Sequence, residues 1–584
     1  MIHEPKLSYF INKSNEIIKE TLDKKIRIGI LSSFSINGLE ETMKVKSSEK
    51  NIDCLTYVGG YNQYNQDILN PESGLYKFFP DLTFLFIDTR QILDDLFHFP
   101  YSVSTSERKI FVEKKFNEIK NLIDTFTNKT KSKLIISNFA IPTYSPYGIF
   151  ETKSEYGFHQ MIEDLNQKLV NTFSNSNSVY VFDFNGFISK YGEDNIFDYK
   201  QFFFGDIKIS LDYIPLLANQ LMGYAIGILG LSKKCIVLDL DNTLWGGIIG
   251  EDGLNGIKLG PEPPGNTYLE FQRVLLSLSQ RGIILAINSK NNYEDAIKVI
   301  KEHPYMILRE EHFASMRINW NDKVSNIKEI ANELNINLDS MVFFDDDQVN
   351  RELMKTILPQ VLTVDLPKDS SLYVQTIKKM NEFDVLNITS EDARRGKMYV
   401  EQRKRNDLEQ TTPDLESFLK NLGLKIRIKI ANEFSIPRIS QLSLKTNQFN
   451  LTTKRYQESD IKKFSEDNNY IVGSAQVEDK FGDNGITGIF IINKKNSKEW
   501  IVDTFLLSCR VMGREVEKAM LGYILKQAKK NGIEIVKAQF IPTQKNKPIE
   551  TFLPHCGFQK DGDYWNYSLK IPFIVPYYLM VDDE

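Results

Sequence analysis

The chain has 584 residues, of which 41% are hydrophobic and 26% are charged, a composition that is ordinary for a globular protein. Because a single hydrophobic core stops growing well below this length, we expect about three domains. The 72 basic and 77 acidic side chains give a net charge of −5, so the charge balance does not support nucleic-acid binding.

The cysteines argue against a disulfide-bonded or zinc-binding protein, and the apolar stretches argue against a membrane protein. The cysteines are scattered and form no C-x-x-C pair, which predicts a reducing, cytoplasmic compartment and no zinc site. The N-terminus, MIHEPKLSYFINKSNE, lacks the apolar core of a signal peptide, and polar residues or prolines interrupt the longest apolar stretches, so we expect no membrane span. The cysteines are Cys54, Cys235, Cys509 and Cys556.

Residues 1–231 alternate strand-like and helix-like segments, the βα pattern of a parallel sheet. An apolar helix predicted over 216–231 closes the region. We therefore expect a flavodoxin-like α/β domain here. The strands are predicted over 26–31, 82–87, 133–136 and 179–182, and the longest helices over 106–126 and 158–173.

The first predicted strand is followed by LSSFS, with Ser32, Ser33 and Ser35. This block resembles the nucleophile block of SGNH-type hydrolases, which implies an SGNH-like fold. Those enzymes carry an Asp and a His three residues apart near the end of the domain, whereas Asp183 is followed by Phe, Asn and Gly. Because a serine hydroxyl without a base is a poor nucleophile, we predict a non-catalytic docking module. The alternative is a catalytically active esterase.

The next predicted domain, 232–370, begins with a buried strand over 235–238. Asp239, Asp241 and Thr243 follow at its carboxyl end, where open α/β sheets bind their ligands. Two carboxylates this close repel each other unless a cation lies between them, so the spacing predicts a divalent metal site with one oxygen free to act as a nucleophile. The alternative is a coincidental turn.

Further polar groups follow in order along this region. The predicted strand 282–287 leads to Ser289, Lys323 opens a helix, and the predicted strand 341–344 leads to the three aspartates at 345–347. In this order the residues resemble the four motifs of the haloacid dehalogenase (HAD) superfamily, which hydrolyses phosphate esters through a phosphoaspartyl intermediate. The resemblance implies a HAD-like Rossmannoid domain with Mg²⁺ as its cofactor.

The HAD resemblance assigns a role to each motif. Asp239 would attack phosphorus, and Asp241 would protonate the leaving oxygen and later activate water. Thr243, Ser289 and Lys323 would bind phosphoryl oxygens. Were the order coincidental, Ser289 could cap a helix and Lys323 could be a solvated surface residue. The predicted metal ligands are Asp239, Asp346 and the main-chain carbonyl of Asp241, supported by Asp345 or Asp347.

The chain between Asp241 and Ser289 leaves little space for an insertion. A helix is predicted over 268–280, and the glycine-rich stretch 243–258 is predicted to form a hairpin flap beside the aspartates. We therefore expect no large cap domain. An uncapped site is open to a bulky substrate, such as a phosphopantetheine arm carried by a protein.

After residue 370 the sequence pattern becomes polar and linker-like, and after residue 413 it becomes a mixture of strands and helices. A polar stretch with helical runs is predicted as a linker over 371–413, and the region 414–584 mixes strands and helices as an α+β domain. Strands are predicted over 424–430, 486–492 and 500–507, a helix over 436–445, and an amphipathic helix after the last of these strands.

Arg510 and Gly513 resemble the Arg-x-x-Gly-x-Gly loop of GCN5-related acetyltransferases (GNAT), whose backbone amides cradle the pyrophosphate of coenzyme A. The resemblance implies a GNAT-like acyltransferase domain in which these two residues bind substrate. Glu515 stands where the last small residue of the loop belongs, and its carboxylate would repel a pyrophosphate. Coenzyme A binding is therefore left open.

Longer stretches across nearly the whole chain are similar to one branch of the HAD superfamily, the FkbH-type proteins. Members of this branch load a glyceryl unit from 1,3-bisphosphoglycerate onto an acyl carrier protein in polyketide pathways. The resemblance implies a phosphorylated three-carbon acyl donor and a carrier protein as partners. The stretches are LDLDNTLWGG, INSKNN, NWNDKVSNI, FFDDDQVNRE, TNQFNLTTKRY, DKFGDNGITG and LSCRVMGREVE.

Cys509 has two interpretations. It is either a small buried residue that closes a strand, or a thiolate at a helix N-terminus beside Arg510, able to take a glyceryl group from an acyl phosphate and pass it to a carrier thiol. Two functions therefore stay open: a bifunctional phosphatase and glyceryltransferase, or a Mg²⁺-dependent HAD phosphatase whose flanking domains are non-catalytic protein- or glycan-binding modules.

Overall fold

The computed structural model of the chain describes residues 4–17, 22, 24–388, 390–494 and 498–582, but no side chain at 390–393, 395, 407, 410, 445 or 509. The chain forms two units, residues 1–233 with 375–388 and residues 234–374 with 389–584. In the described part, no helix has the length and apolar character needed to cross a membrane.

The first unit is built on a parallel sheet of five strands in the order β2-β1-β3-β4-β5, which confirms the predicted α/β class. The second strand, IDCLTYV, was not predicted because polar residues interrupt its apolar pattern. The strands are β1 (Lys24–Ser32), β2 (Ile52–Val58), β3 (Leu82–Phe86), β4 (Lys133–Ser137) and β5 (Val179–Phe182).

Helices cover both faces of this sheet. The buried residues of α2 and α12 pack on one face, and those of α7 and α8 pack on the other. Residues 375–388 return to this unit, where Glu382 forms an ion pair of 2.8 Å with Lys50. The helices are α1 (Leu7–Glu16), α2 (Leu39–Ser48), α3 (Tyr64–Leu69), α4 (Gly74–Phe78), α5 (Thr89–Leu93), α6 (Asp95–His98), α7 (Thr105–Lys129), α8 (Phe158–Phe173), α9 (Phe184–Tyr191), α10 (Glu193–Ile196), α11 (Tyr199–Gly205) and α12 (Ile214–Ile228).

The second unit begins with another parallel sheet, in the order β10-β9-β6-β7-β8. The strand that was predicted over 235–238 is β6, which lies at the centre of this sheet between β7 and β9. Its position places the residues after β6, β7 and β9 side by side at one edge. The strands are β6 (Cys235–Leu238), β7 (Ile284–Ser289), β8 (Phe313–Ile318), β9 (Met341–Asp345) and β10 (Leu362–Asp365).

The stretch after β6 differs from the predicted hairpin. Gly246 and Lys258 do pair across its base, with both N–H···O bonds present at 3.0 and 2.7 Å, but the chain between them forms the helix α13. Between β6 and β7 there is room only for this flap and α14, so the expected absence of a large cap agrees with the structure. The helices are α13 (Ile249–Gly256), α14 (Gly265–Gln280), α15 (Tyr293–Glu302), α16 (Lys323–Leu334), α17 (Gln348–Ile357), α18 (Tyr373–Lys378) and α19 (Ser390–Gln410).

The C-terminal region contains a mixed sheet with helices on both faces, the predicted α+β class. Strands pair in the order β17-β18-β16-β15-β14-β13-β11-β19, with β15–β16 and β11–β19 parallel and the other pairs antiparallel. Alternate residues of β13 and β14 face α21 and α23, which accounts for their period-two pattern. The strands are β11 (Lys425–Ile430), β12 (Phe449–Asn450), β13 (Tyr470–Asp479), β14 (Gly482–Asn493), β15 (Glu499–Leu507), β16 (Ile535–Ala538), β17 (Gln559–Asp561), β18 (Tyr564–Ser568) and β19 (Met580–Asp582), and the helices are α20 (Leu415–Leu422), α21 (Ile436–Lys445), α22 (Glu458–Glu466), α23 (Val516–Lys530) and α24 (Phe552–His555).

The predicted linker 371–413 is largely helical and packed. Within α19, the guanidinium of Arg403 donates to the carbonyl of Phe313 on β8 at 2.9 Å. Two residues later, Arg405 is 2% exposed and makes a two-pronged ion pair with Asp479 of β13, at 2.7 and 2.9 Å. Arg514 also approaches Asp479, at 3.4 Å. Opposite sides of one helix therefore contact the parallel sheet and the C-terminal sheet.

Candidate active site

The side chains predicted for the phosphatase site meet at the carboxyl edge of the parallel sheet. Asp239 follows β6, Ser289 ends β7 and Asp345 ends β9, and all three are buried. Lys323 is the first residue of α16 and is 4% exposed. The burial of Lys323 excludes the interpretation that it is a solvated surface residue.

Asp239, Asp345 and Asp346 form a carboxylate trio whose ligand atoms lie within 4.8 Å of one another. The ammonium of Lys323 lies 2.9 Å from Asp239 Oδ2 and 2.6 Å from Asp345 Oδ2. Burial opposes the charge of this lysine, but the two aspartates outweigh burial and raise its pKa. One ammonium cannot balance three carboxylates, so the trio retains an excess of negative charge.

Two carboxyl groups of the trio, those of Asp345 and Asp346, have raised pKa values. Burial, followed by the neighbouring Asp239 and Asp345, raises the pKa of Asp346 to about 7. Burial and Asp239 likewise raise the pKa of Asp345. A divalent cation between the carboxylates would favour their ionised forms and so oppose both shifts, and carboxylate oxygens are the ligands that Mg²⁺ prefers in proteins.

An unpaired oxygen supports the same interpretation. Oδ1 of Asp239 is buried and has no hydrogen-bond partner among the described residues, although Oδ2 pairs with Lys323. The hydroxyl of Thr243 is also buried without a described partner. Because a buried polar atom without a partner is costly, both atoms fit a site completed by a cation or a phosphoryl group.

Asp241 lies in a different environment from the trio. Its Oδ1 accepts from the indole of Trp245 at 2.8 Å and from the N–H of Ile249 at 3.1 Å, and its Oδ2 accepts from Asn291 at 3.1 Å. Burial raises its pKa despite these hydrogen bonds. The Asp241 carboxylate is thus tied to the flap and is suited to hold a proton, and only its main-chain carbonyl stays a predicted metal ligand.

Ser289 does not cap a helix, because Asn292 occupies the cap position of α15. Its hydroxyl instead accepts from the amide of Asn291, which also donates to Asp241. Sequence reasoning missed Asn291, although it belongs to the quoted stretch INSKNN. It also missed Arg351, whose guanidinium donates to the carbonyls of Asp345 and Asp346 at 2.8 and 2.5 Å.

The third aspartate of the run has a structural role. Asp347 caps α17, with its carboxylate accepting from the N–H of Val349 at 2.9 Å, and lies outside the carboxylate trio. Between the two predicted supporting residues, the structure places Asp345 in the trio and not Asp347.

The predicted residues of the C-terminal region lie between β15 and α23. Cys509 begins a three-residue 3-10 helix, whereas α23 starts only at Val516, so Cys509 does not stand at the N-terminus of a long helix. Its side chain lies outside the described side chains. The guanidinium of Arg510 lies 3.9 Å from the sulfur of Met398, and Gly513 has a φ of 78°.

Coenzyme A does not fit this region. Glu515 occupies the N-cap of α23 with a φ of 59°, and its carboxylate accepts from Lys518 and Tyr578 where a pyrophosphate would need free N–H groups. An extended ligand arm would also need an open strand edge.

The open strand edge is filled by the chain itself. β15 pairs with β16 only as far as Val502, and beyond that point β12 pairs with β15 at Leu506 and Leu507. The carbonyl of Leu451, which follows β12, accepts from Ile541 N at 2.8 Å. The segment 449–451 therefore occupies the gap between the diverging strands.

We therefore expect coenzyme A and acetyl-coenzyme A not to bind, with dissociation constants weaker than about 1 mM by calorimetry. Glu515→Gly should not create a site, because segment 449–451 still fills the gap. Micromolar binding to the parent protein would contradict this prediction.

The N-terminal serines lie at the end of β1. Ser33 is 5% exposed, and its hydroxyl accepts from the N–H of Asp88 at 2.8 Å. No histidine hydrogen-bonds to Ser33 among the described residues. The non-catalytic interpretation of this domain stays a prediction.

A fluorophosphonate probe should therefore leave Ser33 unlabelled over the time in which a serine hydrolase reacts fully. Peptide mass spectrometry would locate any adduct. Rapid labelling that disappears in Ser33→Ala would show the domain to be a live hydrolase.

Comparison with known proteins gives two kinds of match. The family model of the FkbH N-terminal domain matches residues 27–224. A solved structure, the N-terminal part of a Bacteroides fragilis protein containing a phosphatase domain complexed with Mg, is 28% identical, with a TM-score of 0.59 over 66% of this chain and 100% of that chain. No curated protein matches the chain at a significant level.

Two acetyltransferases align with lower scores. An IAA acetyltransferase from Bacillus cereus is 13% identical over 23% of this chain and 77% of that chain, with a TM-score of 0.18. A putative GNAT-family acetyltransferase from Desulfovibrio desulfuricans is 11% identical over 25% of this chain and 99% of that chain, with a TM-score of 0.20. The α+β class of the C-terminal region follows from its own strand order.

Proposed function

We propose that this chain is an FkbH-like, Mg²⁺-dependent phosphatase and glyceryltransferase, because the family model of the FkbH N-terminal domain matches residues 27–224 and a 28% identical solved structure contains a phosphatase domain complexed with Mg. The substrate would be 1,3-bisphosphoglycerate or a related phosphorylated three-carbon acyl donor. The acceptor would be the phosphopantetheine thiol of an acyl carrier protein. One observation supports the assignment of phosphatase activity: the carboxylate trio lies beside Lys323, and Oδ1 of Asp239 is buried without a described hydrogen-bond partner.

Asp239 would act as the nucleophile. Its Oδ1 forms a bond to phosphorus while the bond from phosphorus to the ester oxygen breaks, and the proton on Asp241 passes to that leaving oxygen. Asp241 then takes a proton from a water that attacks the phosphoaspartate, which releases inorganic phosphate and restores Asp239. The raised pKa of Asp241 suits the step in which it donates a proton.

The remaining residues of the site would hold and neutralise the phosphoryl group. Magnesium, bound by Asp239, Asp346 and the carbonyl of Asp241 with Asp345 in support, would supply positive charge to the transferring group. Lys323, Ser289 and Thr243 would donate to its oxygens. Lys323 would also hold Oδ2 of Asp239 in place while Oδ1 attacks.

The transferase half is assigned to Cys509 with Arg510 and Gly513. The thiolate would attack the acyl carbon of the acyl phosphate. The bond from that carbon to the phosphate oxygen would break, and phosphate would leave with the electron pair of the bond. The carrier thiol would then attack the resulting thioester and release Cys509. No coenzyme A is needed for this route, in agreement with the filled gap between β15 and β16.

A second candidate is a Mg²⁺-dependent phosphatase with flanking non-catalytic binding modules. It is favoured by two features: Ser33 has no described base, and segment 449–451 closes the gap in the C-terminal sheet. Loading of a carrier protein separates the two candidates.

The setting that we propose is cytoplasmic, polyketide-type biosynthesis, with neither nucleic acid nor membrane as a partner. The small flap at 246–258 supports access by a carrier-borne arm, because the chain between β6 and β7 holds only this flap and α14. The deciding experiment is intact-protein mass spectrometry after incubation with 1,3-bisphosphoglycerate, with and without carrier protein. A glyceryl group on the carrier supports the first candidate, and phosphate release without loading supports the second.

Phosphate release should depend on Mg²⁺. Chelation by excess EDTA should lower the rate by about 100-fold or more, because one lysine cannot neutralise the trio and the incoming phosphate together. Added Mg²⁺ should restore the rate, as followed by a phosphate assay. Full activity in excess chelator would rule out the metal role.

A further inference from the structure

The first unit contains a cavity of about 530 Å³ that plays no part in the proposed phosphatase chemistry. The cavity lies beyond the carboxyl ends of β3 and β4, lined by Asp88 and Thr89 after β3 and by Ala140 after β4. The order β2-β1-β3 makes the neighbouring ends of β1 and β3 the switch point of this sheet. Open α/β sheets bind ligands at such a point.

A buried ion pair forms part of the cavity wall. Lys208 Nζ donates to Asp88 Oδ1 at 2.8 Å, and both side chains are 8% exposed. The same carboxylate oxygen also accepts from the N–H of Arg90 at 3.0 Å, so the charge of Asp88 is well compensated. An ammonium has three N–H groups, and Asp88 accepts only one of those on Lys208. Lys208 can therefore donate to a ligand without giving up its partner.

Arg90 adds a second cation to the wall. Its guanidinium lies over the rings of Phe202 at 4.3 Å and Phe97 at 5.6 Å, and it forms no ion pair with a carboxylate in the described part of the chain. The other carboxylate of the wall, Glu193, accepts from the N–H of Thr143 at 2.7 Å. The wall therefore holds two cations and two carboxylates, of which only Lys208 and Asp88 form an ion pair, so that the guanidinium of Arg90 faces the cavity without a carboxylate partner among the described residues.

Most of the remaining wall is apolar or aromatic, with His98, Thr89, Tyr144 and Tyr199 as its other polar residues. Phe97, Phe158 and Phe197 line it together with Ala140 and Pro142. Phe158 and Ala140 are buried, so they are fixed by the core of the unit. Aromatic walls favour a ligand with an apolar or aromatic body, and a cationic donor in such a wall favours an anionic end.

We propose that the first unit binds a small organic anion, a carboxylate or phosphate monoester with an apolar body, whose anionic end lies between Arg90 and Lys208. Ser33 lies beside this site through its hydrogen bond with the N–H of Asp88. The role proposed for this site is binding, since none of the described hydrogen bonds joins Ser33 to His98, the histidine of the cavity wall. The unit is a ligand-binding module in addition to any role in docking.

Three probes that share one body test the proposal on the full chain: 4-phenylbutyrate, 4-phenylbutyl phosphate and 4-phenylbutanol. Binding is measured by calorimetry in EDTA, so that the phosphate arm does not report on the carboxylate trio. We expect at least one anion to bind about tenfold or more tightly than the alcohol, because a charge-assisted hydrogen bond is lost in the alcohol. The tighter of the two anions identifies the natural head group.

Two variants locate the site. Arg90→Gln should weaken binding of the preferred anion about tenfold, whereas Arg27→Gln, at the opposite end of β1, should leave it unchanged. Ala140→Phe should fill the cavity and abolish binding while the charges remain, with thermal unfolding as the check that it folds. Equal binding of the alcohol, equal binding to Arg90→Gln, or no binding of any probe would overturn the proposal.

Discussion

Asp239→Asn should reduce phosphate release from the ester position by on the order of 10³-fold or more, because an amide cannot serve as the nucleophile. The variant should still accumulate a phosphoglyceryl adduct, since the acyl phosphate is activated enough for direct attack by a thiolate. Intact-protein mass after incubation with 1,3-bisphosphoglycerate measures both results. The adduct would be heavier than a glyceryl group by one phosphoryl group.

Asp347→Asn is the matched control for this loss. It makes the same chemical change next to the carboxylate trio, but Asp347 only caps α17 and an asparagine caps a helix equally well. Its rate should stay within about threefold of the parent rate. Equal losses in the two variants would indicate a general electrostatic or folding effect and would remove Asp239 from the nucleophile's role.

Cys509→Ala should show the reverse pattern. The carboxylate trio stays intact, so phosphate release from the ester position should continue, whereas carrier loading should fall by about 10³-fold because no thiolate receives the acyl group. The measurement is the mass of the carrier protein over time. Loading at the parent rate would make the cysteine structural, and direct transfer or the plain phosphatase would take its place.

Cys556→Ala is the corresponding control in the same region. Burial raises the pKa of Cys556 to about 12, so this thiol is protonated near neutral pH and is a poor nucleophile. The variant should load the carrier at nearly the parent rate. A loss equal to that of Cys509→Ala would point to disturbed packing instead of lost chemistry.

The phosphatase site was predictable because its parts follow short buried strands. The pattern before Asp239 gave the bounds of β6 correctly, and parallel pairing then brings Ser289 and the trio to one edge. No periodicity marks Asn291, which donates to Ser289 and to the distant Asp241, or Arg351, which turns back onto the carbonyls of Asp345 and Asp346. Their roles arise only from the tertiary arrangement.

The flap and the filled gap show where local pattern fails. Glycines suggested a hairpin over 243–258, but acidic residues at the start of α13 and the bond from Ile248 N to Asp252 favour a helical turn. β12 has two residues and no periodicity, so only its pairing with β15 defines it. The sequence therefore showed no sign that segment 449–451 fills the gap beside β15. Its only indication against coenzyme A was Glu515, which departs from the acetyltransferase loop.

The double attachment of α19 bears on how this protein can be cut and recombined. A graft that replaces residues 414–584 would remove Asp479 from Arg405, and breaking a buried ion pair by removing one partner costs about 3–5 kcal/mol. Chimaeras that exchange acyl-transfer partners should therefore keep residues 390–410 from the same parent as both flanking sheets. Junctions placed within this helix would yield insoluble or inactive hybrids even where each module comes from a protein that folds and is active.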